Sequence, residues 1–507
     1  MPPGRGGKSL VTIRVLRIAA DSTGCRHAAV RAAAGRPIRG RTKVRGEVRR
    51  ARRGAVAPGL VWAVTRAVLL LYVFKVLTVP GGMDITSDVS VIYHGWFDRL
   101  SAGTFPSGDV TWQYPPAAAL VILSPGLLTG LGLLSYASAF FVLACVADAV
   151  VFGLLLYAVR QRGARDPEAG SRSPAGVWAW VVGVPLLGPT AYARYDLMVT
   201  ALAVAALLAA ARHPRTAGVL AGVGALVKVW PVLLLLGTPR GRATRVTWLS
   251  ALVTAVVVTA GFAAAMPGAL DFLSAQGGRG TEVESVSSLV LHAARQFGWE
   301  GQVLLRYGSM EFVGPGVRTV SNVAVVLTGA GFGWLVLWRW RARAAAWTPA
   351  TPADTALAAV LVFVVTSRVL SPQYLVWLVG LAAVCLTLRA GRQTLAAWLV
   401  VAAAGLTQLE FPVWFADVVA SEGKGVLVLA LRNALLVAAA VAACVQLWRS
   451  TVPRAAGGTR PLRGAGNGAT SHDVPAARKP QQAAPPPRST ARVTAPTADS
   501  HRHASER

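Results

Sequence analysis

Acidic side chains are scarce in this chain, 22 Asp and Glu among 507 residues, against 51 Lys and Arg. Cysteine (four), methionine (five) and histidine (seven) are scarcer still. Cys25, Cys145, Cys385 and Cys444 are scattered, three of them inside apolar runs. That spacing excludes a disulfide framework and a close-ligand metal site, and the residues read as small hydrophobes. No glycine loop followed by lysine is present to cradle a phosphate, and no His-Glu-x-x-His pair, so nucleotide and zinc-hydrolase chemistry have no motif to stand on. Neither a metal nor a cofactor is expected.

Charge is also low overall, at 14 %, while apolar residues make up 54 %. The apolar residues fall into separate runs, near 55–79, 116–134, 135–159, 177–189, 195–211, 217–237, 246–265, 317–337, 354–366, 373–388, 394–410 and 426–447. A bilayer core takes about 20 residues of helix, so the pattern predicts an all-α polytopic membrane protein with about 12 crossings. Barrel strands would alternate apolar and polar residues, and the Ala, Leu and Val runs do not. Two long polar stretches, 80–115 and 266–316, then emerge as loops on one side.

Both ends are basic. Residues 1–54 carry fifteen Lys or Arg against two acids, and residues 448–507 ten against three. The second tail is also rich in Pro, Ala and Gly, so both read as disordered flanks of a single transmembrane domain, 55–447. They lack interleaved aromatics and any recognisable nucleic-acid module, so retention in the cytoplasm and attraction to anionic lipid explain them, without nucleic acid as a partner. Cytoplasmic termini also place the Arg-rich turns 239–245, 339–343 and 389–392 inside and both polar loops outside. One turn disagrees: 160–172 holds four arginines yet falls outside by parity, unless the 116–134 run is re-entrant.

The polar stretch SDVSVIYHGWFDRLSAGTFPSGDVTWQYPP, following the first span, gathers acids, a histidine and aromatics at a water boundary. Asp84 and Asp88 lie there, and a carboxylate so placed can act as a general base. The competing structural role is helix capping, with Ser87-Asp88 ahead of an amphipathic run. Lys228 interrupts the apolar run GVGALVKVWPVLLLL, a costly position whose default explanation is function. Its structural alternative is pairing with Asp148 or Asp196. Arg194 and Asp196 flank a helix break at Gly188-Pro189, and Arg368 precedes another at Ser371-Pro372. Cations at such breaks suit a phosphate held near the bilayer. The second loop adds Glu282, Glu284, His292, Arg295 and Glu311. Trp112, Tyr114, Tyr93, Tyr374 and Trp377 fit an interfacial belt as well as a sugar platform.

The order of motifs, an acid closely followed by Tyr93, then WQYPPAAAL, YDLMVTALAVAALL, GVLAGVGALVKVWPVLLLL and SRVLSPQYLVWL, resembles glycosyltransferase family 87, the polyprenol-phosphate-mannose-dependent α-mannosyltransferases. What the resemblance implies is a GT-C-type fold in the cell membrane with an extracytoplasmic active site. The substrates would be a polyprenyl-phosphate sugar and a glycolipid or glycan acceptor, in contact with membrane lipid. Asp88 would be the catalytic base. Lys228 and Arg368 would hold the donor phosphate, and His94, Trp112, Tyr114, His292, Gln373 and Tyr374 would hold sugar or acceptor. A secondary transporter or lipid flippase of the envelope is the alternative, since broken helices and buried charges also describe that architecture.

Overall fold

The computed structural model describes residues 39–106, 108–161, 173–275, 279–388 and 391–453. The first helix, Arg39–Val73, begins inside the segment expected as an N-terminal tail, and the last, Gly423–Thr451, runs past the expected boundary at 448. The remainder of both tails, residues 1–38 and 454–507, lies outside the described residues.

Among the described residues six helices are long and apolar enough to cross a bilayer: Val56–Val73, Tyr136–Arg160, Arg242–Ala265, Val317–Arg341, Thr394–Val413 and Gly423–Thr451. Shorter apolar helices accompany them, including Ala175–Leu186, Asp196–Ala209, Pro214–Val227, Thr351–Thr366 and Tyr374–Thr387. The two sets are layered. Arg242–Ala265 is only 6 % buried along its apolar window, while nearly every residue of Thr351–Thr366 and Tyr374–Thr387 is buried. Short helices apolar on all sides are stable only when neighbours screen their ends, and long ones with exposed apolar faces need lipid.

Glycines set the closest contacts in the inner layer. A Cβ on Gly176 would fall on the Ala383 carbonyl and the Thr387 hydroxyl, and one on Gly183 would meet Val379 at 2.6 Å. These pairings run Ala175–Leu186 antiparallel to Tyr374–Thr387.

Two expected spans are built differently. The 116–134 run forms only two short helices, Ala118–Leu123 and Gly126–Thr129. Tyr136, which opens the next helix, donates its hydroxyl to the Ile122 carbonyl and stacks on His94, so the run starts and ends at the same end of the bundle. The 217–237 run instead folds back on itself. The helix Pro214–Val227 stops at Lys228, and a 3₁₀ segment, Trp230–Gly237, returns. Gly237 then packs on Pro352, and the following helix lies parallel to Pro214–Val227, with Gly218 against Thr247 and Gly222 against Ala251.

These two differences offset each other and remove the charge anomaly. Gln161 bonds Arg212 and Ser173 bonds Thr387, so these two flanking residues both lie at the end of the bundle remote from Asp88. Arg240, bonded to the Arg339 carbonyl, and Arg343, bonded to Thr451, lie at that same remote end.

The all-α expectation fails in one place. The second loop holds a three-stranded antiparallel sheet in which Thr281–Glu282 and Gln302–Arg306 both pair with Ser309–Val313. Gln302–Arg306 is an edge strand in which only Val303 is half-buried, and its sequence, QVLLR, lacks the alternation that reveals a half-buried strand.

Candidate active site

Asp88 opens a π-helical turn, Asp88–Tyr93, that continues into the helix His94–Ser101. Ser87 does not cap it; its hydroxyl donates to the Asp84 carbonyl. The Asp84 carboxylate bonds the Thr86 amide and hydroxyl, at 2.9 and 2.6 Å, and Lys75 at 2.9 Å. Burial raises its pKa, but those bonds outweigh it and hold the group below the ordinary carboxylate range. Asp84 is therefore a turn residue, which leaves Asp88, of the two, as the candidate base. Its carboxylate pairs with Arg194 at 2.8 Å and remains about a third exposed.

Arg194 belongs to the break between Gly188–Ala191 and Asp196–Ala209. Two residues on, Asp196 is fully buried and accepts from Lys228 at 2.7 Å and from the Trp377 indole at 2.5 Å. The Lys228 ammonium sits among four rings, 5.0 Å from the centres of Tyr195 and Trp377, 5.4 Å from Tyr374 and 5.7 Å from Tyr114. Aromatic faces attract a cation, and such a box holds a charge that burial alone would expel. Tyr374 also stacks on Trp377, 4.1 Å between centres. Burial, with the carboxylates of Asp196 and Asp88 nearby, pushes the Tyr114 phenol up to about 12.

The small sheet adds a third cation. Arg279 pairs with Glu311 at 3.3 Å, which also accepts from the Gly280 amide. Opposite Glu311 in the ladder, Glu282 clamps the second helix break, accepting from the Leu370 amide at 2.6 Å and the Ser371 hydroxyl at 2.9 Å. Its amide donates to the Arg368 carbonyl. Burial raises the Glu282 carboxyl above its ordinary value, against the pull of Arg279. The second loop is thus docked on the Arg368–Ser371 break, bringing Arg279 to the same face as Arg368, where the two guanidiniums interact.

Asp88, Lys228, Arg368, Tyr114 and Tyr374 therefore gather at one end of the bundle. Tyr114 and Tyr374 turn their rings to Lys228. Gln373 stands beside them at the start of Tyr374–Thr387. The other three are elsewhere. His94 is exposed and stacked on Tyr136 at 5.0 Å. Trp112 is buried edge-on between Trp96, Phe105 and Tyr114. His292 is fully buried, with Nε2 at 2.8 Å from the Val283 carbonyl and Nδ1 at 2.8 Å from the Ser421 hydroxyl. Because a carbonyl only accepts, Nε2 carries the proton and Nδ1 accepts from Ser421. His292 fastens the second loop to the start of the last helix.

In sequence Arg194 reads as a cation suited to phosphate, Asp196 as a structural partner for Lys228 and Trp377 as an interfacial or sugar-platform ring, without assignment to the site, and Arg279 does not stand out at all. The signal for the first two was present, a charged pair around Tyr195 in an otherwise apolar run. Arg279, placed by the sheet, had none.

No curated protein and no solved structure matches the chain. The sequence profile of glycosyltransferase family 87 matches residues 112–372, just over half of the chain. That stretch holds Lys228 with two of its four rings, both helix breaks and the docked sheet, while Asp88 precedes it and Tyr374 and Trp377 follow it. With the profile covering that much of a helical, lipid-requiring fold, the chain belongs to glycosyltransferase family 87.

Proposed function

We propose that this glycosyltransferase moves mannose from a polyprenyl-phosphate donor to an acceptor hydroxyl on the outer face of the cell membrane, with inversion at the anomeric carbon. The observation that carries the proposal is the 194–196 segment. Within three residues it joins the acid suited to act as base, through Arg194, to the cation suited to bind phosphate, through Asp196. The outer placement is supported by the concentration of Arg-rich turns at the remote end, as the positive-inside rule requires of a cytoplasmic face. The chain then makes about 12 passes, with the 3₁₀ return counted as one and 116–134 as none.

In the proposed step the acceptor oxygen attacks the anomeric carbon opposite the phosphate. The bond from that carbon to the phosphate oxygen breaks, and Asp88 takes the hydroxyl proton. Polyprenyl phosphate leaves with added negative charge, which Lys228, Arg368 and Arg279 stabilise as it develops. An ammonium has three donors, and the bond to Asp196 takes one. Gln373 is suited to a sugar hydroxyl. A single displacement requires no second carboxylate as nucleophile, and Asp84 is already committed to Thr86 and Lys75.

The test is transfer by purified, lipid-reconstituted protein from labelled polyprenyl-phosphate mannose to a membrane extract, comparing the native chain with Asp88→Asn. Transfer by the native chain alone, giving an α-linked product, supports the proposal. Equal transfer by both removes Asp88 from the mechanism, and a β-linked product removes inversion of a β-linked donor.

A further inference from the structure

Away from Asp88, in the middle of the bundle, a fully buried carboxylate has five donors around it. Asp148 Oδ2 accepts from Arg66 Nε and from the Tyr192 hydroxyl, each at 2.6 Å. Oδ1 accepts from the Trp180 indole at 2.6 Å, the Trp62 indole at 3.2 Å and Arg66 Nη2 at 3.3 Å. Arg66, itself 1 % exposed, spends its remaining donors on the Val181 and Trp180 carbonyls and the Thr65 hydroxyl. The cluster joins the first span to the helices Tyr136–Arg160 and Ala175–Leu186, and to the 188–195 break. A buried ion pair is a poor way to gain stability, since well-packed apolar residues commonly do as well or better. Its retention in apolar surroundings asks for another role.

The role lies along Tyr192. Gly188, at φ +63°, turns the chain into the break, and any side chain there would strike Gln408. Tyr192 then ties the break down to Asp148. Two residues later Arg194 donates to the Ala193 carbonyl at 2.8 Å, to the Ile85 carbonyl at 3.2 Å and to Asp88 at 2.8 Å. A continuous series of bonds thus runs from the centre of the bundle to Asp88.

We propose that Asp148, charged and held by Arg66, is a positioning residue for sugar transfer: through Tyr192 it fixes the 188–195 break so that Arg194 meets Asp88 in the working orientation. The inference rests on the reading of Asp88 as base. Tyr192→Phe keeps the ring and removes only the hydroxyl link. Its expected effect is a fall in kcat of about 10-fold to 100-fold, the range for a slightly misplaced catalytic group, with donor KM unchanged. Trp180→Phe removes a donor of equal length from Asp148 off this path, and should lower the melting temperature while kcat and donor KM hold.

The experiment measures kcat and donor KM for Tyr192→Phe, Trp180→Phe and Asp88→Asn in the reconstituted transfer assay. Should Tyr192→Phe fail to fold, Asp148→Asn is read in its place for the same split. An unchanged kcat in the variant read, a donor KM that rises with it, or the same fall in kcat in Trp180→Phe, overturns the inference. Undiminished transfer by Asp88→Asn overturns the reading of Asp88 instead, so the two failures are distinguishable.

Discussion

The Lys228–Asp196 pair gives the sharpest prediction, because it asks whether one lysine serves folding, donor binding or both. Consider Asp196→Asn, Lys228→Met and the two together. Asp196→Asn leaves an ammonium among four rings with no counter-ion. Lys228→Met leaves a buried carboxylate with only the Trp377 indole, its second oxygen already lacking a hydrogen-bond partner. Stranding one member of a buried pair costs about 3–5 kcal/mol. The ammonium is 12 % exposed and water relieves part of that, so about 3 kcal/mol is expected for each single variant. In the double variant neither charge is buried and methionine adapts to the aromatic box, so the loss should be about 1–2 kcal/mol. The readout is denaturant unfolding in mixed micelles, alongside binding of polyprenyl phosphate. Additivity of the two single losses to within about 0.5 kcal/mol would refute the coupling. A stable double variant that still binds polyprenyl phosphate normally would refute Lys228 as a phosphate ligand.

Arg279→Ala combined with Glu311→Gln, which avoids stranding the buried Glu311, should raise donor KM by about 10-fold, on the scale of one charged hydrogen bond; an unchanged KM removes Arg279 from the phosphate set. Anchoring of the second loop should depend on pH with two slopes of opposite sign, read by hydrogen exchange over residues 279–313. Burial, aided by Arg295 and opposed by the Val283 bond, holds the His292 imidazole below its ordinary value. Below about pH 6.5 the unfolded chain therefore gains a proton that the fold resists, and anchoring weakens as pH falls. Burial, then Glu410 and Glu282, hold the Glu284 carboxyl well above its ordinary value. Its contribution, with that of the likewise raised Glu282, is therefore full at low pH and lost as pH rises through the raised values, and Glu284→Gln should reduce this second slope while leaving the first. Finally, Gly132→Cys and Arg212→Cys should react with an impermeant thiol reagent from opposite sides of sealed vesicles, since the two positions lie at opposite ends of the bundle; labelling from the same side contradicts the re-entrant path of 116–134.

The lipid-dependent helical class, the family and two of the cationic positions were legible because they rest on long apolar runs and on single costly charges within them. Lys228 announced itself by the expense of its location, and its partner Asp196 was one of two candidates that sequence could not separate. Only the antiparallel pairing of Asp196–Ala209 with Pro214–Val227 brings residues 196 and 228 together, leaving Asp148 to Arg66. Hydropathy misjudged 116–134 and 217–237 because it counts apolar residues and does not see direction. A 3₁₀ return of eight residues is as apolar as the helix before it. His292 looked like a loop histidine; its burial arises from contacts with Ser421, 129 positions away. Arg279 was invisible for the same reason, since the pairing of Thr281–Glu282 with Ser309–Val313 places it.

The folded-back 214–237 segment also bears on how the protein enters the membrane. Insertion machinery reading hydrophobicity meets one continuous apolar stretch with basic residues at each foot, Arg212 and Arg215 before it, Arg240 and Arg242 after it. In the finished bundle both feet lie at the same end, so the stretch must be delivered as a loop led by its vertex. That vertex is Lys228. The basic feet then never cross the bilayer, and the only cation that does is carried at the tip, toward the aspartate waiting at the start of the preceding helix.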